Sequence, residues 1–582
     1  MTKPVSRYMT LGKWAATGAS LFLCARTVQA QPIPVEVQRE ARRIQERAIE
    51  RQNELERRQL QSQSPIKDYT PVAVEEAVSL NDSVCQPVTA VTLSGMTLLG
   101  AQRFAKLASN ATGICISAAT LKALERAITN AYVQRGYITS RAFAVRNPSR
   151  PDLVTVRVVE GRVQAVRSEG IAGSRRYGTD EIHFAFGTPE ERPLNLRDLE
   201  QGVDQLARLP SASPSIDIVP AAATGASDII IKRERVARAL RPSFAVNNGG
   251  SKSTGEATII ASLDGDDLFG IADYFSAYFT QDISSGVGKN STGSGLFVSA
   301  PAGRLTISAS ANQQSYRSIL TSNDLMFSND GRTISGFVAV DGLVFRNARH
   351  KLALAVQMAL FDTVTRIQSI RLSTNSYRLA TLGAKVRLQS RIDTAVFSAD
   401  FGFVQGLSIL GAESADFGPG GPTLTAGKVE AGFALQKPIK LGRSTLRYST
   451  SVRGQFSRSP LLGAERISIG GEQSVRGYRD DGLSGDHGVV ARTQIAFPLF
   501  TAFKQRKSNS TTRFSGVVGH DAGWVWNIGS DAGVTLLQSV VGGVEVANSR
   551  LAGRILVAKA LSPLPGFDRS RPEILASLSL TI

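Results

Sequence analysis

The residues able to do covalent or metal chemistry are few in this chain, and their spacing argues against such chemistry. Asp264, Asp266 and Asp267 gather three carboxylates, but the alternating ligands, loop glycine and closing glutamate of a calcium loop are missing. The cluster reads as a solvated turn. Gly286-Val287-Gly288-Lys289 ends like a phosphate loop, yet Ile283 stands where the first glycine belongs and Asn290 replaces the magnesium-binding hydroxyl. It reads as a hairpin loop. His183, His350, His487 and His520 are scattered and give no zinc-ligand spacing. A different kind of chemistry is offered by Ile469-Gly-Gly-Glu-Gln-Ser-Val-Arg-Gly-Tyr-Arg479, continuing to Leu483-Ser-Gly-Asp-His-Gly488. This stretch is charged, and it is too long and glycine-rich for a hairpin that simply turns.

The thiols bear on the compartment. Lys3, Arg7 and Lys13 precede an apolar stretch from Trp14 to Ala25, and Val28-Gln29-Ala30 offers small residues where a signal peptidase reads them. Residues 1–30 are therefore predicted to be a secretory signal, cut between Ala30 and Gln31. Cys24 leaves with it; Leu23 before it is not the small residue that a lipoprotein site needs. Cys85 and Cys115 remain. In an oxidising periplasm they predict one disulfide, closing a loop of about 30 residues and worth about 3–4 kcal/mol by chain entropy. Two separate buried thiols are the alternative.

The chain has 582 residues, enough for several domains, with 42% hydrophobic and 20% charged residues. Its net charge of +18 would suit a nucleic-acid binder, but export from the cytoplasm argues against that. No run of about 20 apolar residues follows the signal, so no spanning helix is predicted in the mature chain. Barrel strands carry a weaker signal and stay open.

The elements that must position these residues fall into distinct textures. Within residues 31–64, seven Arg face six Glu between Glu36 and Arg58. Apolar positions are sparse there, which predicts a solvated helix of about six turns without a core face. It is either a spacer or a polar helix made for a water-filled cavity. Residues 65–83 read as a periplasmic linker. Residues 84–162 run strand, helix, helix, strand, strand: Val88–Leu93, Leu98–Ala108, a helix opened by Ser117 with Leu121, Leu124, Ile128 and Val133 on its apolar face, Arg141–Arg146 and Leu153–Glu160. Residues 163–238 repeat that order, with Asn195 capping the second helix. A repeat of about 75 residues predicts two small α+β domains in tandem.

From 239 to 582 glycine, serine and threonine dominate, and segments of roughly ten residues alternate in polarity. Leu446, Tyr448 and Val452 point one way; Arg447, Ser449, Ser451, Arg453 and Gln455 point the other. Leu578, Leu580 and Ile582 oppose Ser577, Ser579 and Thr581. A soluble β-domain would bury the apolar face. The polar, often cationic opposite face fits a transmembrane β-barrel better, with apolar side chains on lipid and polar ones around a wet lumen. At about 20 residues per strand and turn, the segment allows about sixteen antiparallel strands.

Val475-Arg476-Gly477-Tyr478 resembles the loop motif of two-partner secretion transporters, the haemolysin secretion/activation family. In that family a long loop folds back into the lumen, and its arginine pairs with the aspartate of a Phe-x-Asp-x-Gly motif on the barrel wall. The matching segment is Gly519-His520-Asp521-Ala522-Gly523; Asp521 and Gly523 match, and Gly519 replaces the aromatic. Gly113-Ile-Cys-Ile116, Tyr132, Arg135 to Phe143 and Val159-Glu-Gly-Arg162 resemble the family's first POTRA domain, and Leu196 to Pro210 the second POTRA helix. The charge-balanced helix sits where relatives carry a pore plug. Ile582 departs from the aromatic residue that commonly ends such barrels.

The resemblance implies an outer-membrane translocator with its POTRA domains in the periplasm. It would recognise and secrete a large exoprotein of haemolysin or adhesin type. Its partners would be that exoprotein, outer-membrane lipid and the barrel assembly machinery, not nucleic acid. No cofactor and no enzymatic activity is implied. The alternatives are a barrel-assembly insertase of the same superfamily, which usually has more POTRA domains, and a passive porin or receptor.

Overall fold

A computed structural model describes residues 85–582 apart from 172–173, 284–285, 287, 323–324, 348, 481, 503–510, 531–532 and 566–568. The signal with its Ala30–Gln31 junction, the charge-balanced helix and the linker lie outside the described residues.

The first small unit begins with Cys85, joined to Cys115 by a disulfide with Cα atoms 5.4 Å apart. Its helices are α1 (Ala105–Asn110), entered through a 3-10 turn, and α2 (Ala118–Val133). The Ser117 hydroxyl caps α2 by accepting from the Thr120 N–H. Leu124, Ile128 and Tyr132 recur every fourth position and are the buried face of α2. Tyr132 thus takes the place expected for Val133, because the four-residue rhythm keeps one side chain above the next. These helices cover a three-stranded sheet whose middle strand, Leu153–Val159, buries Val154, Val156 and Val158 on alternate positions. The second unit repeats the plan with α3 (Thr179–Phe186), α4 (Leu196–Ala207) and strands Arg162–Ile171, Ala226–Arg235 and Ala212–Pro220.

The remainder is a closed antiparallel barrel of sixteen strands. In chain order they are β1 (Leu240–Asn247), β2 (Thr258–Asp266), β3 (Tyr274–Asp282), β4 (Asn290–Ala302), β5 (Leu305–Ser322), β6 (Leu325–Arg346), β7 (His350–Ile367) and β8 (Tyr377–Ile392). There follow β9 (Ala395–Leu407), β10 (Gly427–Leu441), β11 (Ser444–Ser457), β12 (His487–Ala502), β13 (Thr512–Trp526), β14 (Thr535–Ala547), β15 (Leu551–Ala560) and β16 (Glu573–Thr581). Closure pairs every strand on both sides, which is what hydrocarbon demands of a backbone. The seam is thin: β1 and β16 share five register pairs, whereas β5 and β6 share eighteen. The polarity alternation behaves as expected. Leu578 and Leu580 are exposed on the outer face, while Ser449, Ser451 and Arg453 line the interior. No helix among the described residues is long and apolar enough to cross a membrane.

The acidic cluster expected to be a solvated turn is instead part of a buried joint. Asp266 accepts two hydrogen bonds from Arg241 and one from the Ser211 N–H at 2.7 Å. Asp267 pairs with Arg175. The turn closes against the second unit, so Asp266 and Asp267 meet arginines rather than water, while Asp264 accepts from the Tyr274 hydroxyl at 3.0 Å. Further along, α4 lies on the neighbouring turns. Gln205 donates to the carbonyls of Gly303 and Leu305, Arg208 to Ala272 O and Ser299 Oγ, and Arg346 pairs with Glu200 at 2.9 Å and with Asp204. The second unit therefore sits on the turns that end β2, β4 and β6, which defines one mouth of the barrel.

Candidate functional site

The stretch between β11 and β12 does not extend away from the barrel. It folds inward, stiffened by a hairpin of Ile467–Ile469 with Leu483–Gly485. At its tip lie Val475, Arg476, Gly477 and Tyr478, with Val475 and Tyr478 fully buried. They pack with Ile469, Val490, Val525, Leu537 and Ala560 in one apolar cluster. The Tyr478 hydroxyl donates to Ser562 O at 2.7 Å, so the ring is buried without stranding its polar end.

Arg476 meets Asp521 of β13 face to face. Nε donates to Oδ2 at 2.7 Å, Nη2 to Oδ1 at 2.8 Å, and the backbone N–H of Arg476 to Oδ2 at 3.2 Å. The side chains are 2% and 0% exposed, which makes this a desolvated, bidentate pair. Gln494 accepts from Nη1 at 3.3 Å, Ser539 donates to Asp521 at 3.4 Å, and Arg492 stands 3.6 Å from it. Burying an ion pair is costly, and a pair with its spare donors and acceptors filled recovers that cost best.

Glycine lets the loop come this close. A Cβ on Gly477 would lie 2.8 Å from Ala560 N and 2.9 Å from Ser539 Cβ. Gly519, which replaces the expected aromatic, sits beneath the guanidinium: a Cβ there would stand 3.1 Å from Arg476 Nη2. The arginine itself occupies the space a side chain would need. Gly523 lies under Ile469 and Val475 of the loop.

Sequence reasoning singled out one loop-to-wall pair; the structure shows further ties. Glu465 pairs with Lys428 of β10 at 2.8 Å, and Glu472 with Arg554 of β15. Asp486 accepts from the Leu461 and Ile528 N–H groups at 2.8 and 3.1 Å and pairs with Arg466 at 3.2 Å. Arg479, next to the motif, donates to Asn248 O at 2.9 Å and pairs with Glu256 at 3.0 Å and Glu573 at 3.4 Å. The signal for Glu472 and Arg479 was present, since both are charged residues in the glycine-rich stretch. Their partners, scattered along the barrel, had no local signature.

Below the loop is a cavity of about 1820 Å³, lined by Lys385, Arg387, Lys428, Arg453, Arg492 and Arg554 among others. Its acids are largely matched: Glu430 with Lys428 at 3.0 Å and Lys385 at 3.7 Å, Asp341 with Arg387 at 3.0 Å. Such a wide interior, with paired charges beside apolar side chains such as Phe337 and Phe403, offers weak contacts to many kinds of surface. No group of His, Cys, Asp and Glu among the described residues could hold a metal ion.

Two electrostatic features stand outside the membrane. Glu160 accepts from the Leu98 and Thr97 N–H groups and the Tyr132 hydroxyl, each at 2.8 Å, and from the Thr97 hydroxyl. Burial would raise its pKa, but these hydrogen bonds outweigh burial and hold it below the usual carboxylate range. Glu181 shows the reverse. Burial, then a hydrogen bond shared with Asp267, push it up to about 7 despite Arg233 at 2.8 Å and Arg175 at 3.0 Å.

A sixteen-strand barrel with a loop pinned in its lumen and, on one mouth, the second of two tandem α+β units defines a transmembrane channel partly filled by its own chain. Residues 225–546, more than half of the chain, match the family model of the haemolysin secretion/activation proteins ShlB/FhaC/HecB, and the chain belongs to that family. Residues 86–161 match the ShlB-type POTRA domain and 162–220 a POTRA domain. The hemolysin transporter protein ShlB of Serratia marcescens is 29% identical over 482 residues, 81% of this chain and 83% of its own length. The outer membrane transporter CdiB of Dickeya dadantii is 28% identical over 415 residues, covering 71% and 72%. Among solved structures, CdiB from Escherichia coli superposes with a TM-score of 0.82 at 22% identity, covering 95% of this chain and 100% of that one. The protein is an outer-membrane transporter of the two-partner secretion type, with POTRA domains in the periplasm. The mouth carrying the second unit is therefore periplasmic, and the loop enters from outside.

Proposed function

We propose that this protein recognises one large exoprotein in the periplasm and conducts it unfolded through the barrel, without covalent chemistry. The observation that carries this reading is the loop held in the lumen by Arg476 and Asp521, above a wide cavity lined by both charges. A solute pore gains nothing from a desolvated clamp of that kind; a conduit that must be shut until a chain engages does. The open edges of the two POTRA sheets, Arg141–Arg146 among them, suit capture of an extended segment by strand addition. The relatives named above are transporters for hemolysin and of the CdiB type, which supports a haemolysin- or adhesin-like passenger.

In this reading the domains are the signal 1–30, the plug helix 31–64, the linker 65–83, POTRA domains 84–162 and 163–238, and the barrel 239–582. The charge-balanced helix read over Glu36–Gln61 suits a wet cavity lined by both charges. Folding of the passenger outside supplies the drive, so no nucleotide is consumed.

The test is co-expression with the exoprotein encoded beside this gene, assaying intact passenger in the medium at equal barrel abundance. Wild type should export it and Arg476→Ala should not. Absence of export from wild type, with other barrels failing to assemble on depletion, would replace this reading with the insertase one.

A further inference from the structure

The strands β4 to β7 carry a cationic groove on their outer face, at the end opposite the POTRA units. The register across these strands sets it out. Asn290, Arg317, Asp330 and Arg366 are aligned in one row, and Thr292, Ser315, Arg332 and Val364 in the next row inward. The intervening positions Ser291, Tyr316, Gly331 and Thr365 are buried and face the lumen, so Arg317, Arg332 and Arg366 face outward and are exposed. Together with Thr292, Ser315 and Asp330 they line a groove of about 350 Å³.

The height of this groove above the apolar band identifies what it meets. On β6 the outward positions Val344, Val340, Val338 and Ile334 are exposed and apolar, and the next outward position is Arg332. Val344 to Ile334 spans roughly 33 Å along the strand, or about 25 Å along the axis at the ~40° tilt of such barrels. That is the full thickness of the lipid-facing band. Arg332 therefore stands at its outer rim, with Arg317 and Arg366 about one row further out. Three guanidiniums face one carboxylate: Asp330 lies 3.8 Å from Arg366, and no described acid pairs with Arg317 or Arg332. Arginine forks of this kind match phosphate oxygens, and hydroxyls beside them match sugars.

We propose that this groove binds the phosphorylated sugar headgroup of an outer-leaflet glycolipid. The acyl chains would lie along Ile334, Leu296 and Leu360 below, on the same outer face. This rests on the outer-membrane placement and is independent of the passenger.

The experiment uses the full-length protein purified in detergent, wild type and the triple variant Arg317→Gln, Arg332→Gln, Arg366→Gln. All three side chains are exposed, so the variant should fold; its heat-modifiable mobility on gels checks this. Binding is followed by native mass spectrometry with lipid A, with enzymatically dephosphorylated lipid A, with phosphatidylglycerol and with inorganic phosphate. Wild type should retain lipid A at least about tenfold better than the variant, the gain expected for two or more charge-assisted contacts. It should retain the dephosphorylated form no better than the variant does. Equal retention of lipid A by both proteins overturns the proposal. So does undiminished binding of the dephosphorylated form, or phosphatidylglycerol or free phosphate doing as well as lipid A. Because export by the variant is assayed separately, loss of lipid binding and loss of secretion are read independently.

Discussion

Arg479 Nε stands 3.4 Å from a carboxylate oxygen of Glu573, the first residue of the last barrel strand. The same side chain bonds Asn248 O, just past the end of the first strand. One loop arginine thus spans the seam where the barrel closes on only five register pairs. Asn248 adds its own bonds to Ile574 O at 2.8 Å and from Ala576 N–H at 2.7 Å.

Arg479→Ala should loosen the outer end of this seam together with the loop. Losing the contacts to Asn248, Glu256 and Glu573, partly solvent-screened, is worth about 1–2 kcal/mol, or about tenfold in the population of open states. Planar-bilayer recordings should show about tenfold more frequent large openings. An unchanged opening frequency would confine Arg479 to the loop.

Asp521→Asn should release the loop tip while leaving the barrel closed. Breaking a buried pair costs about 3–5 kcal/mol, because the surviving charge loses its partner. Limited proteolysis should then cut between 457 and 487 at protease levels that spare wild type. Arg476→Lys should fall between the two, since an ammonium keeps the charge but not the two-pronged contact.

Reduction of the Cys85–Cys115 bond should unfold the first POTRA domain before the barrel. The bond ties the strand pair Gln86–Pro87 and Cys115–Ile116, just before α2. Its loss is expected to cost about 3–4 kcal/mol in a small domain. A reductant should produce a separate early transition in thermal melts, absent from the oxidised protein.

The joint between the second POTRA domain and the barrel should tighten as the medium acidifies. Glu181 is raised from the ordinary carboxylate range to about 7 by burial and by Asp267, with Arg175, Arg233 and Tyr177 also facing it. A raised carboxyl means that the folded joint holds a proton the unfolded chain would release. Stability is therefore full below about 4.5 and declines as pH rises through about 7. Hydrogen exchange at Thr179–Phe186 should slow by about tenfold between pH 7.5 and 6.0 after correction for intrinsic rates. Glu181→Gln should remove that dependence.

Periodicity decided much of this architecture before any contact was known. Arg141–Arg146 ends where the sequence pattern placed it, because strand alternation is local, and Asn195 caps its helix as expected by accepting from the Arg197 N–H. The number of barrel strands followed from segment length, since a band of lipid sets how long each strand must be. Arg476 and Asp521 were legible only through a resemblance. They are 45 residues apart, and nothing local in either segment names the other. Asp267 was misread as solvated for the same reason: its partner Arg175 lies 92 residues earlier.

What the sequence determined by itself was which residues turn inward and which outward, for a period of two admits only one assignment once one face must meet lipid. It also set the fold class and the chemistry available at the loop. Tertiary structure alone decided which charges meet. Closing the barrel curls sixteen strands until residues from opposite ends of the chain, such as Arg479, Asn248 and Glu573, share one seam. Pairing of that kind depends on register summed around the whole ring, and no stretch of the chain carries it.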